Sequence, residues 1–76
     1  MTIRWTPERL DQLERAALDG RRVVLSRRGT EYIVQVRRIE SDHRGDTLVG
    51  RLPMTGEEMR FLLSDLDYFQ VVGEKS

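Results

Sequence analysis

Residues 23–36 read VVLSRRGTEYIVQV, and this stretch holds two apolar runs on either side of Arg28 and Gly29. Val and Ile are enriched in strands, and Gly readily adopts the backbone conformation that a tight hairpin turn requires. Further apolar runs follow at residues 48–49, 61–63 and 69–72, with turn-forming residues between them. The repetition predicts an antiparallel meander of four strands and a fifth strand after a short turn, arranged as a small barrel or a strongly bent sheet.

The segment before this meander has the pattern of one amphipathic helix. Thr6 suits the N-cap, Pro7 suits the first helical position, and Gly20 can end the helix in the left-handed conformation. One stripe of the helix carries the apolar side chains Leu10, Leu13 and Ala17. Trp5 precedes the cap and predicts a hydrophobic staple with Leu10, although a ring that stacks on a nucleobase is the alternative.

These elements predict an α+β fold, mainly β, in one small domain over residues 1–76. The helix is expected at about residues 7–19, and the five strands of the antiparallel small barrel or strongly bent sheet at about 22–27, 31–40, 47–52, 58–63 and 68–72.

Both faces of the predicted strands carry apolar residues. The period-two rule places one set on the inner face: Val23, Leu25, Val34, Val36, Leu48, Leu52, Met59, Phe61, Leu63, Phe69 and Val71. The outer set is then Val24, Ile33, Val49, Leu62 and Val72. We expect another subunit or a binding partner to cover part of the outer set, unless a bulge near Arg37 and Arg38 swaps the faces midway.

Length and composition favour a partner subunit. A domain of 76 residues has a thin core, and a chain without cysteine cannot add disulfides. The sequence therefore predicts a homo-oligomer. Without a long apolar segment or a signal sequence, it also predicts a cytoplasmic protein that does not insert into membranes.

Charge is distributed unevenly although the net charge is zero. Residues 21–38 carry six Arg and one Glu, whereas residues 53–76 carry five acidic and two basic residues. The guanidinium group of Arg presents a fork of N–H donors that suits phosphate groups, and a Tyr ring among several Arg could stack on a base. The candidate nucleic-acid-binding residues are therefore Arg21, Arg22, Arg27, Arg28, Tyr32, Arg37 and Arg38. The alternative is a solvated rim whose Arg stems cover apolar sheet, which the pI of about 6.6 favours.

Catalytic and metal-binding patterns are weak. His43 lies between Asp42 and Asp46 in a predicted turn, and turn chemistry alone explains those residues. The remaining acidic candidates lie in or beside turns, and the chain holds no nucleophile motif or phosphate-binding glycine loop. We expect no catalytic residues, no metal and no cofactor.

Two family resemblances accompany this interpretation. The order of one helix and five short strands resembles the Sm-like barrel of bacterial RNA chaperones, over nearly the whole chain at the level of topology. That resemblance implies oligomers built through edge strands, and RNA as a ligand. The C-terminal half, with RFLLSDL at residues 60–66 and FQVV at residues 69–72, is similar to the WYL domain of bacterial regulators, which implies ligand sensing.

The sequence thus predicts a non-catalytic interaction or self-assembly module. The alternative is a regulatory protein that binds RNA or DNA through an Arg-rich strand face.

Overall fold

One helix precedes five strands in residues 4–72, the part of the chain that the computed structural model describes. The elements are α1 (Pro7–Asp19), β1 (Arg22–Arg27), β2 (Thr30–Asp42), β3 (Gly45–Arg51), β4 (Glu58–Leu62), a 3₁₀ turn (Leu63–Asp65) and β5 (Leu66–Val72). The strands form a single antiparallel sheet in the order β4-β3-β2-β1-β5. The α+β, mainly β class predicted from the sequence is confirmed, and the sheet is open because β4 and β5 do not pair.

Local signals in the sequence explain where α1 begins and ends. The Thr6 hydroxyl accepts a hydrogen bond from the Arg9 backbone N–H at 3.2 Å, and Pro7 lacks the N–H that would be unpaired there. Gly20 then adopts a left-handed conformation with φ 66°, and the following Arg21 N–H bonds to the Ala16 carbonyl at 2.9 Å.

The β1–β2 hairpin turns through Arg28 and Gly29, which both have positive φ, at 53° and 84°. This pair of values matches a type I′ turn, whose twist suits two paired strands. The β2–β3 connection is shorter than the sequence predicted. Pairing continues to Asp42 and Gly45, because a hydrogen bond of 2.6 Å from the Ser41 hydroxyl to Asp46 joins the strands beside the turn.

Strand β2 contains one extra residue at Arg37. Val36 is opposite Gly50, whereas Arg38 is opposite Val49, so Arg37 has no partner on β3. The register shift is a β-bulge, which bends a sheet and increases its twist. The bend is visible in the contact between Tyr32 on β2 and Phe61 on β4, whose ring centroids are 5.2 Å apart although β3 lies between their strands.

The core lies between the helix and the inner face of the bent sheet. Its buried residues are Leu13, Ala16, Val23, Leu25, Val34, Val36, Leu48, Phe61, Leu63 and Leu66. Leu52, Met59, Phe69 and Val71 were also predicted to face inward, and they pack half-buried at the margin of this core. No polar or charged residue in the described part of the chain is buried.

Val49 was predicted to face outward, and it is fully buried outside this core cluster. Its neighbours across the sheet are Arg38 on β2 and Arg60 on β4. We attribute the burial of Val49 to the aliphatic stems of these two arginines, which can cover apolar surface while their charged ends stay in water. Of the other outward residues, Ile33 is exposed, and Val24, Leu62 and Val72 are half-buried.

Trp5 joins the start of the chain to the far end of the sheet. Its ring stacks on Phe69 of β5, with centroids 5.3 Å apart, and its Nε1–H donates a hydrogen bond of 2.8 Å to the Leu63 carbonyl. Trp5 is therefore structural, because both its ring face and its donor are used within the fold.

Replacing Phe61 with Ala should destabilise the domain by about 3 to 5 kcal/mol, since it removes the largest fully buried side chain. Urea unfolding followed by circular dichroism measures this loss. Ile33→Ala on the exposed face is the control, and equal stability of the Phe61 variant and wild type would contradict the described core.

Replacing Gly50 with Ala should destabilise the domain by about 1 to 3 kcal/mol, because there is no room for a side chain. A Cβ at Gly50 would lie 2.9 Å from Cγ2 of Val34. In a double-mutant cycle, Val34→Ala should relieve part of this loss, and strictly additive unfolding free energies would contradict the contact.

Candidate functional site

The arginines of residues 21–38 lie at opposite ends of the β1–β2 hairpin. Arg22 is opposite Gln35 in the strand register, whereas Arg27 is opposite Thr30 beside the turn. A strand rises about 3.4 Å per residue, so the two ends are roughly 17 Å apart. The predicted binding residues therefore divide into a turn group, Arg27, Arg28 and Tyr32, and a bulge group, Arg21, Arg22, Arg37 and Arg38.

The turn group is largely engaged in holding the fold together. The Arg27 guanidinium carbon lies 5.4 Å from the Tyr32 ring centroid and 4.9 Å from that of Phe61, which is cation–π geometry. Arg28 donates its backbone N–H to Asp67 at 3.0 Å, which ties the hairpin turn to β5. The Tyr32 ring is thus packed between Arg27 and Phe61 rather than presented to a nucleobase.

Arg21 faces the groove between α1 and β5. This groove has a volume of about 550 Å³ and is lined by polar side chains of α1, including Gln12, Arg15 and Asp19, together with residues 69–71. The Arg21 Nε lies 3.6 Å from an Asp19 carboxylate oxygen and makes no hydrogen bond. Arg21 is therefore separated from the rest of the bulge group and partly balanced by a neighbouring charge.

The remaining bulge-group arginines meet two others on the outer face of the sheet. Arg22, Gln35 and Arg51 are neighbours across β1, β2 and β3, and Arg38, Val49 and Arg60 are neighbours across β2, β3 and β4. Arg37 lies at the bulge and lines a shallow groove of about 210 Å³ with Arg51, Gly56 and Glu58. We call Arg22, Arg37, Arg38, Arg51 and Arg60 the outer arginine patch.

Glu40 holds two members of this patch in place. One carboxylate oxygen accepts from Arg38 Nε at 2.7 Å, and the other accepts from Arg60 Nη1 at 2.7 Å. Hydrogen bonds from Arg60 and then from Arg38 lower the pKa of Glu40 below its usual value. The same bond to Glu40 raises the pKa of Arg60. The result is a fixed Arg38–Glu40–Arg60 triad above Val49.

Three members of the patch have no counter-ion in the described part of the chain. Among residues 4–72, no carboxylate lies within ion-pair distance of Arg22, Arg37 or Arg51. Glu58 is opposite Arg51 in the register of β3 and β4, but the two side chains do not form an ion pair. These guanidinium groups are exposed and keep their donors available.

Sequence reasoning missed Arg51 and Arg60. They lie outside the Arg-rich segment, and only strand pairing brings them next to Arg22 and Arg38. The signal that could have found them is cross-strand register: predicting the β2–β3 and β3–β4 hairpins with the bulge included would place both arginines on the outer face.

The two edges of the sheet are a second candidate surface. Within the described part of the chain, β4 and β5 each pair with a strand on one side only. Outside the strand pairings, no backbone-to-backbone hydrogen bond within residues 4–72 involves β4 or residues 67–72 of β5. Each edge therefore presents N–H and C=O groups that can pair with another strand.

The acidic residues around His43 serve the turn. Asp42 accepts a hydrogen bond from the Arg44 backbone N–H at 2.8 Å, and Asp46 accepts from Ser41. No group of three metal-ligating side chains occurs within residues 4–72.

In the same residues, no helix has the length and hydropathy of a membrane span.

Replacing Arg60 with Gln should raise the pKa of Glu40 toward the usual value for Glu, about 4.3, because it removes the principal hydrogen bond to the carboxylate. Pairing with Arg60 and Arg38 lowers the pKa of Glu40 in the folded state. The contribution of this pairing to the stability of the fold is therefore present above the unfolded-state pKa of Glu40 and is lost as the pH falls through its lowered folded-state pKa. An NMR titration of the side-chain carboxyl carbons measures the shift. An identical Glu40 pKa in wild type and variant would contradict the triad.

No protein-family model matches the chain, and no significant match exists among curated proteins or solved structures.

Proposed function

We propose that this chain is a non-catalytic assembly module, in which the β5 edge of one copy pairs with the β4 edge of the next. The observation that carries the proposal is the open sheet, whose two edge strands, β4 and β5, each lack a neighbour on one side among residues 4–72. Edge pairing of this kind is head to tail, so it forms a ring if the rotation between copies closes.

The β5 edge has few of the features that usually prevent pairing. Charged side chains, proline, bulges or very short length protect most natural edge strands. β5 is seven residues long, and residues 68–72 read YFQVV, without charge or proline. Its register shift lies only at the start of the strand, next to Arg27 of β1. An unprotected edge of this length favours a partner strand.

Apolar side chains at both edges would become more buried on assembly. Leu62 on β4 and Phe69, Val71 and Val72 on β5 are half-buried, and Tyr68 is 45% exposed. Burial of apolar area contributes about 25 cal/mol per Å², so covering these side chains favours association. Within residues 4–72 the core cluster holds ten buried residues, and for so thin a core the apolar area buried on assembly would be a large addition to stability.

Trp5 ties the turn after β4 to β5 within one copy. It donates a hydrogen bond to the carbonyl of Leu63, in the 3₁₀ turn, and its ring stacks on Phe69 of β5. These contacts fix the corner between β4 and β5, which do not pair with each other in the described residues, and so support pairing between copies rather than closure of a single chain.

The test compares the mass in solution of wild type, an edge variant and a matched control. Tyr68→Lys with Gln70→Lys places charge on the β5 edge, and Ile33→Lys places the same residue on an exposed position of central strand β2. Sedimentation velocity across a concentration series should show a multiple of 8.9 kDa for wild type and for Ile33→Lys, and monomer for the edge variant.

Circular dichroism verifies that all three proteins are folded. A wild-type protein that remains monomeric at the highest soluble concentration would overturn the proposal. If the edge variant forms oligomers of the same mass as wild type, assembly uses another surface.

A further inference from the structure

We infer that the outer arginine patch binds the phosphodiester backbone of a nucleic acid, without reading its bases. The inference goes beyond assembly and does not rest on it, because the patch lies on the face of the sheet and the proposed assembly uses its edges.

Charge is the first argument. The patch holds five arginines, and the carboxylates beside them are Glu40, Glu58 and Glu14, which lines a groove of α1 together with Arg37 and Arg38, so the positive charge is in excess. Arg22, Arg37 and Arg51 have no counter-ion within residues 4–72. A phosphate would therefore not have to displace a carboxylate from any of these three groups.

The geometry of the sheet adds spacing and rigidity. Arg22 and Arg51 are two strands apart, as are Arg38 and Arg60, and strand spacing places the Cα atoms of each pair about 10 Å apart. The shared Glu40 carboxylate brings the charged groups of Arg38 and Arg60 closer than this. The Debye length at 0.1 M salt is also about 10 Å, so the potentials of these charges overlap. Glu40 holds Arg38 and Arg60 while using only one nitrogen of each, and the other N–H groups remain available to a phosphate.

Chemistry favours a nucleic acid over an acidic protein at this surface. The central apolar residue, Val49, is fully buried, so the patch offers arginine and no exposed apolar centre. Protein interfaces have an apolar core, whereas nucleic-acid interfaces are polar, hydrated and positively charged. The patch also contains no aromatic ring. Tyr32 packs against Arg27 and Phe61 on the inner face, so its ring is not available to stack on a base at the patch.

The test is a binding titration with three proteins of matched design. The patch variant is Arg22→Gln, Arg37→Gln, Arg51→Gln. The control removes the same charge at Arg4, Arg9 and Arg44, three exposed arginines outside the patch with no ion pair in the described residues. Fluorescence anisotropy with a short labelled RNA strand and a short labelled DNA duplex, at several salt concentrations, reports affinity.

For wild type we expect the logarithm of the affinity to fall linearly with the logarithm of salt concentration. Three phosphate contacts predict a slope of about −2 for a single strand and about −3 for a duplex. The patch variant should lose at least about tenfold in affinity at low salt and most of this slope, whereas the control should stay within about threefold of wild type.

Three outcomes would overturn the inference: no binding by wild type at low salt, an equal loss in patch variant and control, or equally tight binding of poly-glutamate of the same length. Sedimentation of the same samples separates this inference from the proposed assembly. Arginine-dependent binding by a monomer would refute only the assembly, and an oligomer that binds neither nucleic acid would refute only the patch.

Discussion

The bulge at Arg37 is the constraint on which the rest of the sheet depends. With regular pairing after Val36, Arg38 would be opposite Leu48 on the inner face, and Ile39 would point outward. The extra residue reverses this assignment, so that Ile39 packs against the core and Arg38 reaches the outer face. The same bulge bends the strand, and the bend allows Tyr32 to contact Phe61.

The thin core is closed at its margins by side chains that are only partly apolar. At one end, the guanidinium of Arg27 covers the rings of Tyr32 and Phe61. At another, Trp5 stacks on Phe69 and bonds to the Leu63 carbonyl. These amphipathic groups complete the burial of apolar surface without placing an unpaired charge inside, which a small domain could not tolerate. A chain that is 34% charged thereby keeps its charged groups at the surface of the described fold.

Arginine serves three distinct purposes in this chain, and its environment decides which. Arg27 lies over aromatic rings and stabilises packing. Arg38 and Arg60 share the Glu40 carboxylate, which orders them above Val49. Arg22 and Arg51 have no counter-ion within residues 4–72 and form the part of the patch best suited to a phosphate. Residue type alone could not separate these purposes, because each depends on which groups the strand register brings together.

The sequence by itself determined the helix, the number of strands and the antiparallel hairpins that join the first four, because caps, turn residues and apolar periodicity act over a few neighbouring positions. Thr6, Gly20 and the Arg28–Gly29 turn are examples. Only the tertiary structure decided that β5 pairs with β1, that the sheet stays open, that Val49 is covered, and that Arg51 and Arg60 join the arginines of β1 and β2. Those outcomes depend on the register between strands distant in sequence, and a single bulge changes which face each later residue occupies.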